Sequence, residues 1–164
     1  MGGLRVGLPV ALAVLLLDQA TKALALSTLS GRPPVEVTGF FNLVLVWNRG
    51  VSFGMLQGIG GMGPWLLTGF GLAVCVALLV WLAREGRGLT RVAIGLVIGG
   101  AIGNIVDRLR FGAVVDFLDF HALGYHWPAF NISDSAIVVG AALLVLDGLR
   151  ADRTAAGQMR GQTR

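Results

Sequence analysis

The sequence predicts an all-α integral membrane protein: four transmembrane helices with a small extracytoplasmic β-sheet. Of its 164 residues, 55% are hydrophobic and only 13% charged, which leaves too little polar surface to clothe a water-soluble domain of this length. The mean hydropathy of +0.76 agrees. The apolar residues gather in four stretches, about 6–26, 64–83, 92–106 and 135–149, each near the length needed to cross about 30 Å of hydrocarbon as a helix. Between the first two lies a segment rich in β-branched and aromatic residues.

The first stretch has the basic and apolar character of a signal peptide. However, Asp18 and Lys22 interrupt its apolar part and no small-x-small site follows, so it is expected to stay as a span. Four residues apart, Asp18 and Lys22 share a helix face; the expectation is a mainly architectural pair, with Lys22 snorkelling outward. In the connection 27–63, Val35–Thr38 and Phe41–Asn48 predict strands, with Thr38 and Gly39 as the turn. Their small sheet is expected to rest on the membrane surface, with Phe40, Phe41 and Trp47 at the headgroups. The glycine run 58–63 lacks the lysine and the strand-to-helix setting of a phosphate-binding loop. It reads as a loop leading into Pro64, and Gly54 to Gly63 are expected to flex enough to gate a site.

The second stretch carries no charge, and Trp65 and Trp81 mark its two ends. Cys75, the sole cysteine, sits mid-helix as a small buried hydrophobe and makes no internal disulfide. After a loop at 84–91, the third stretch places Gly95, Gly99 and Gly103 on one helix face, which predicts a central helix closely approached by another backbone. The segment 107–134 concentrates the polar chemistry: Asp107, Arg108, Arg110, Asp116, Asp119, His121, His126 and Asn131. The five-residue spacing of His121 and His126 keeps them off a common helix face, so no metal site is expected. Asp107 and Arg108 are expected to hold the end of the third helix by local pairing.

Arg5, Arg84, Arg87, Arg91, Arg150, Arg153, Arg160 and Arg164 flank one side of the predicted spans, against Arg32, Arg49, Arg108 and Arg110 on the other. The bias puts both termini in the cytoplasm. The net charge of +4 then reflects orientation and anionic lipid, with no call for nucleic acid.

Asp116 and Asp134 flank the last outer segment. Carboxylates at a membrane boundary are expensive to keep, and two together point to acid/base chemistry. Peptide hydrolysis needs an activated water and a proton for the leaving amine; two carboxyls sharing one proton supply both. No Ser-His or Cys-His nucleophile competes in the sequence. One alternative is a small proton-coupled transporter relaying protons through Asp18, Asp116 and Asp134, but it calls for midplane carboxylates and repeated broken helices, and the halves show no repeat. Another is a noncatalytic scaffold docking through the glycine face, which would not require the two aspartates.

Four motifs follow one another along the chain: LDQATK, FFNLVLVWNRGVSFG, GGAIGNIVDRLRFGAVVDF and PAFNISDSAIVVG. In this order the chain resembles the bacterial lipoprotein signal peptidases, also called signal peptidase II. The resemblance implies a membrane aspartic endopeptidase that removes the signal peptide from diacylglyceryl-modified prolipoproteins, cutting on the N-terminal side of the lipidated cysteine. It implies a multi-pass protein of the bacterial inner membrane whose site lies at the extracytoplasmic face. No cofactor and no metal are expected, the partners are prolipoprotein and membrane lipid, and the chain is expected to act as a monomer. Carried over by motif, the catalytic pair falls on Asp116 and Asp134, and the other family positions on Asp18, Lys22, Asn48, Gly50, Asn104, Asp107, Arg108 and Asn131. Asn104 and Asn131 are candidates to fix the carboxylates and bind substrate backbone, Asn48 and Arg108 to contact substrate. Asp18, Lys22 and Asp107 are candidates for structural roles. Where the family more often has alanine before the second aspartate, this chain has Ser133, which leaves the implied catalytic role intact, adds a hydroxyl beside it and leaves open its effect on that aspartate's hydrogen bonding.

Overall fold

The computed structural model describes residues 2–50 and 62–162, with side chains to residue 150. Among the described residues, four helices are long and apolar enough to cross a membrane. They are α1 (Gly2–Leu29), α2 (Gly63–Arg84), α3 (Gly88–Phe111) and α4 (Ile132–Gln162). β1 (Val35–Thr38) and β2 (Phe41–Asn48) lie between α1 and α2, and β3 (Val114–Ala122) and β4 (Tyr125–His126) between α3 and α4.

The helix α3 is the centre of the bundle because its small residues let backbones approach from two sides. A Cβ on Gly95 would lie 2.5 Å from Gly7 O of α1, and one on Gly99 would lie 2.5 Å from Ala11 O. On another face, Gly100 abuts Ser133 O of α4, and a Cβ on Gly140 of α4 would stand 2.7 Å from Ala93 O. Lipid chains are as apolar as leucine, so this close packing, rather than a hydrophobic drive, joins the helices. α1 answers with an inward strip of Gly3, Gly7, Ala11, Asp18, Lys22, Ala25 and Leu29, and leaves Leu12, Leu16, Leu17 and Leu24 exposed. Cys75 is a buried free thiol within α2. At the other end of the bundle, Thr90 Oγ1 donates to Asp147 Oδ2 at 2.6 Å and Arg87 pairs with the same oxygen at 2.9 Å, tying the start of α3 to α4.

The third helix outruns its apolar stretch at both ends. Asp107, Arg108 and Arg110 continue it, and Gly112 ends it in the left-handed region (φ 70°) with its N–H on Arg108 O at 2.9 Å. Arginine and aspartate there do not stop the helix because their side chains turn to partners or to the edge of the bundle.

The four strands form one antiparallel sheet in the order β1-β2-β3-β4. The first two are those read from the sequence. β3 joins them from the second outer segment, pairing Asn48 with Val114 and Val46 with Asp116 across an irregularity between Leu43 and Val46. Val114 to Phe117 are buried on both faces, so the segment lacks the alternation that marks a half-exposed strand. Phe130 then pairs back onto β3: its N–H donates to Leu118 O at 3.0 Å, and its carbonyl accepts from Leu118 N at 2.9 Å. This stitch delivers the start of α4 to the side of Asp116. Phe40 and Trp47 are exposed, whereas Phe41 is half-buried with its ring 4.8 Å from that of Phe120. Of the loop expected to gate a site, residues 54–61 lie outside the described residues.

Candidate active site

Asp116 lies on β3 and is 1% exposed; Asp134 lies in the first turn of α4. Asn131 joins them. Its Nδ2 donates to Asp116 Oδ1 at 2.7 Å, while its Oδ1 accepts the Asp134 backbone N–H at 2.9 Å and so caps α4. Asn48, at the end of β2, donates to Asp116 Oδ2 at 2.9 Å and accepts the Gly50 N–H at 2.8 Å. Gly50 has φ +79°, and a side chain there would run into Leu67 Cδ1. Asn104 of α3 donates to Asp134 Oδ1 at 2.8 Å. All three asparagines singled out in the sequence therefore converge on the two carboxylates. Burial pushes Asp116 up to about 6; the charge of Asp134 acts in the same direction, against the amide donors of Asn48 and Asn131.

Behind the pair lies a second cluster. Lys22 Nζ meets Asp18 Oδ2 at 2.9 Å, Asp107 Oδ2 at 2.8 Å and Asn104 Oδ1 at 3.1 Å. Lys22 is 2% exposed, so it does not snorkel; two carboxylates and an amide oxygen inside the bundle satisfy its three protons better than the bilayer rim would. Asp107 also accepts the Val115 N–H at 3.1 Å, which fixes the turn into β3, and it makes no pair with Arg108. Arg108 donates to Asn104 O at 3.4 Å, and among the described residues its buried Nε has no partner. The local pairing expected of Asp107 and Arg108 is thus replaced by bonds to other elements, because a buried carboxylate faces Lys22 on α1.

Gln19, which the sequence reading passed over, donates to Asp107 Oδ1 at 3.0 Å and to Asp18 Oδ2 at 3.2 Å. A glutamine beside two ionisable residues in an apolar helix was the available signal. Ser133 donates its N–H to Asp18 Oδ1 at 2.9 Å, and among the described residues its buried hydroxyl has no partner. That hydroxyl packs against Gly103, and it leaves the hydrogen bonding of Asp134 untouched.

Two apolar clefts reach the surroundings of Asp134, one through Asn104 and the other through Asp134 itself. One of about 240 Å³ lies among α2, α3 and α4, with Leu67, Phe70, Asn104, Arg108 and Ile137 in its walls. The other, of about 370 Å³, has Trp127, Phe130, Asp134, Ser135, Val138 and Val139 in its walls. Farther out, His121 and His126 stack across the β3–β4 ladder at 4.8 Å, and His126 Nδ1 lies 2.9 Å from Asp119. The two histidines are partners on neighbouring strands, so helix-face spacing does not govern how they meet. Among the described residues, no group of three His, Cys, Asp or Glu side chains is arranged to hold a metal.

Comparison with known proteins agrees with this architecture. The lipoprotein signal peptidase of Ralstonia nicotianae is 50% identical over 138 residues, covering 83% of this chain and 79% of its own. That of Paraburkholderia phytofirmans is 48% identical over 150 residues, covering 91% and 87%. A solved structure described as a bacterial membrane enzyme superposes with a TM-score of 0.76 at 31% identity, covering 87% of this chain and 92% of that one. The profile of the family described as signal peptidase (SPase) II matches residues 10–150, and the chain belongs to that family of membrane peptidases.

Proposed function

We propose that the protein is an aspartic endopeptidase of the bacterial inner membrane that cleaves the signal peptide from diacylglyceryl-modified prolipoproteins, on the N-terminal side of the lipidated cysteine. The observation that carries this reading is that Asn131 touches Asp116 through its amide and Asp134 through its cap, which holds two carboxyls from separate elements at one place. The reaction needs nothing else. One ionised aspartate takes a proton from water as the water oxygen attacks the scissile carbonyl carbon, and the protonated partner gives its proton to the carbonyl oxygen. The first aspartate then passes its proton to the amide nitrogen, the C–N bond breaks, and the diol returns a proton to the second. No atom is left over beyond the acid and the amine.

The clefts suit a substrate that stays in the bilayer. In this reading the apolar helix of the signal peptide and the acyl chains occupy the two apolar clefts, with Arg108 in the wall of one of them as the contact for a substrate carbonyl. Asn48, Asn104 and Asn131 support the pair, and Asp18, Lys22 and Asp107 hold α1 to α3. The arginine bias supports an orientation with both termini in the cytoplasm and the pair at the extracytoplasmic face.

The test is cleavage of a diacylglyceryl-modified prolipoprotein by purified Asp116→Asn and Asp134→Asn. Both are expected to insert and to be inactive; cleavage retained by either would overturn the mechanism. An unlipidated precursor is expected to be processed poorly, and equal processing of both forms would remove the acyl-recognition part.

A further inference from the structure

The two buried clusters share one atom, Asn104 Oδ1. It accepts from Lys22 Nζ at 3.1 Å and from Asn131 Nδ2 at 3.3 Å. An ammonium has donors and no acceptor, so the amide atom facing Lys22 must be the oxygen. The Nδ2 of Asn104 is thereby turned toward Asp134 Oδ1, 2.8 Å away. The other amides are set by backbone: Asn131 by the Asp134 N–H and Asn48 by the Gly50 N–H.

The result is unequal. Asp116 has a donor on each oxygen, Asn131 on Oδ1 and Asn48 on Oδ2. Asp134 has Asn104 on Oδ1, and its Oδ2 has no hydrogen bond among the described residues. A carboxylate held by two donors is favoured ionised, whereas an oxygen without a donor is where a proton can stay and be given away.

We propose that Lys22 is a positioning residue for the reaction. By fixing the polarity of Asn104 it secures the single donor on Asp134 Oδ1, so that Oδ2 carries the shared proton as the acid and Asp116 serves as the base. This rests on the aspartic reading above. Lys22 touches neither carboxylate of the pair; its contact toward them runs through Asn104, and both substitutions below remove its charge alike, so their difference reads the contact alone.

The experiment separates donor from charge. With Lys22 against Asp18 and Asp107, the cluster carries one positive and two negative charges, a net of −1. Asp18→Asn combined with Lys22→Gln, or with Lys22→Met, leaves Asp107 alone, again −1. The two variants are of nearly equal size, and only glutamine can donate to Asn104 Oδ1. With diacylglyceryl-modified prolipoprotein as substrate, the glutamine variant is expected to keep kcat within about threefold of wild type. The methionine variant is expected to lose at least tenfold in kcat with KM within about twofold. In an Asn104→Ala background, the two variants should have equal kcat, because the path is already cut.

Equal kcat of both variants in the Asn104-containing protein, or a gap that persists in Asn104→Ala, overturns the proposal. Should the methionine variant not fold, the full-length protein labelled with 15N-asparagine decides. The Asn104 side-chain amide signal must move on Asp134→Asn, and an unmoved signal overturns the proposal. Activity retained by Asp134→Asn in the same assay would instead refute the aspartic reading.

Discussion

The side-chain amide of Asn131 stands 2.7 Å from Asp116 Oδ1, and its carbonyl oxygen is the cap of the helix that carries Asp134. One residue therefore caps a helix with one end and, in the proposed mechanism, holds a catalytic carboxyl with the other. The two tasks come apart on substitution. Asn131→Ala removes both, and is expected to lower stability by about 2–3 kcal/mol, about 1 for the cap and the rest for buried groups left unpaired. It should also reduce kcat/KM at least a hundredfold. Asn131→Ser keeps an oxygen that caps the helix but cannot reach Asp116. Thermal unfolding in detergent should show most of the stability recovered, and the cleavage assay should show little activity. Full activity in the serine variant would mean that the Asn131–Asp116 bond is dispensable.

Asp116 is pushed up to about 6, chiefly by burial. In the proposed mechanism its ionised form is the base, so kcat/KM is expected to be highest above about pH 6 and to fall as pH drops through that value. The Asn48 amide donates to the ionised form and opposes the rise. Removing it as Asn48→Ala disfavours the charged state further, so the acid limb should move toward neutral pH, by about one unit. The pH profile of kcat/KM for the two proteins measures this; a limb that stays in place, or moves to lower pH, contradicts the assignment of Asp116 as base.

The helices and the first two strands were legible in the sequence because each has a strong local pattern: long uncharged runs for the spans, and Phe41–Asn48 for β2. The glycine face of Gly95, Gly99 and Gly103 also foretold a central α3, since spacing alone fixes which residues share a side. β3 was not legible. Val114 to Phe117 are buried on both faces, and a strand whose partners come from another part of the chain shows no period of its own. Lys22 was misjudged for a related reason: the pairing with Asp18 is local, but Asp107, which holds the ammonium inside, lies on another helix. The motif resemblance pointed Asn104 and Asn131 at the carboxylates, whereas Asn48, expected to contact substrate, donates to Asp116 instead; which atom faces which depends on the contact of α1 with α3, and no spacing encodes that.

Gly99 provides a test of the packing that sets this contact. A Cβ there would lie 2.5 Å from Ala11 O and 2.8 Å from Val14 Cβ, and backbone cannot swing aside as a side chain can. Gly99→Ala is expected to cost about 1–3 kcal/mol by forcing α1 and α3 apart. A Cβ on Gly69 of α2 would meet nothing within 4 Å among the described residues, so Gly69→Ala should leave stability unchanged or slightly higher. Thermal unfolding of both proteins in the same detergent gives the comparison, and equal effects would show that α3 is not packed through this face.

Lys22 supplies the sharpest stability prediction. As Lys22→Met alone, the buried carboxylates of Asp18 and Asp107 lose their cation, and breaking a buried pair by removing one partner costs about 3–5 kcal/mol. Neutralising one carboxylate at the same time, as in Asp18→Asn with Lys22→Met, should recover much of that loss, because one remaining anion still has Gln19 and the Val115 N–H as donors. The ordering expected in thermal unfolding is wild type, then the double variant, then the single. A single variant as stable as the double would mean that Lys22 does not compensate these charges inside the bundle, and the inward geometry of the ammonium would then have no energetic consequence.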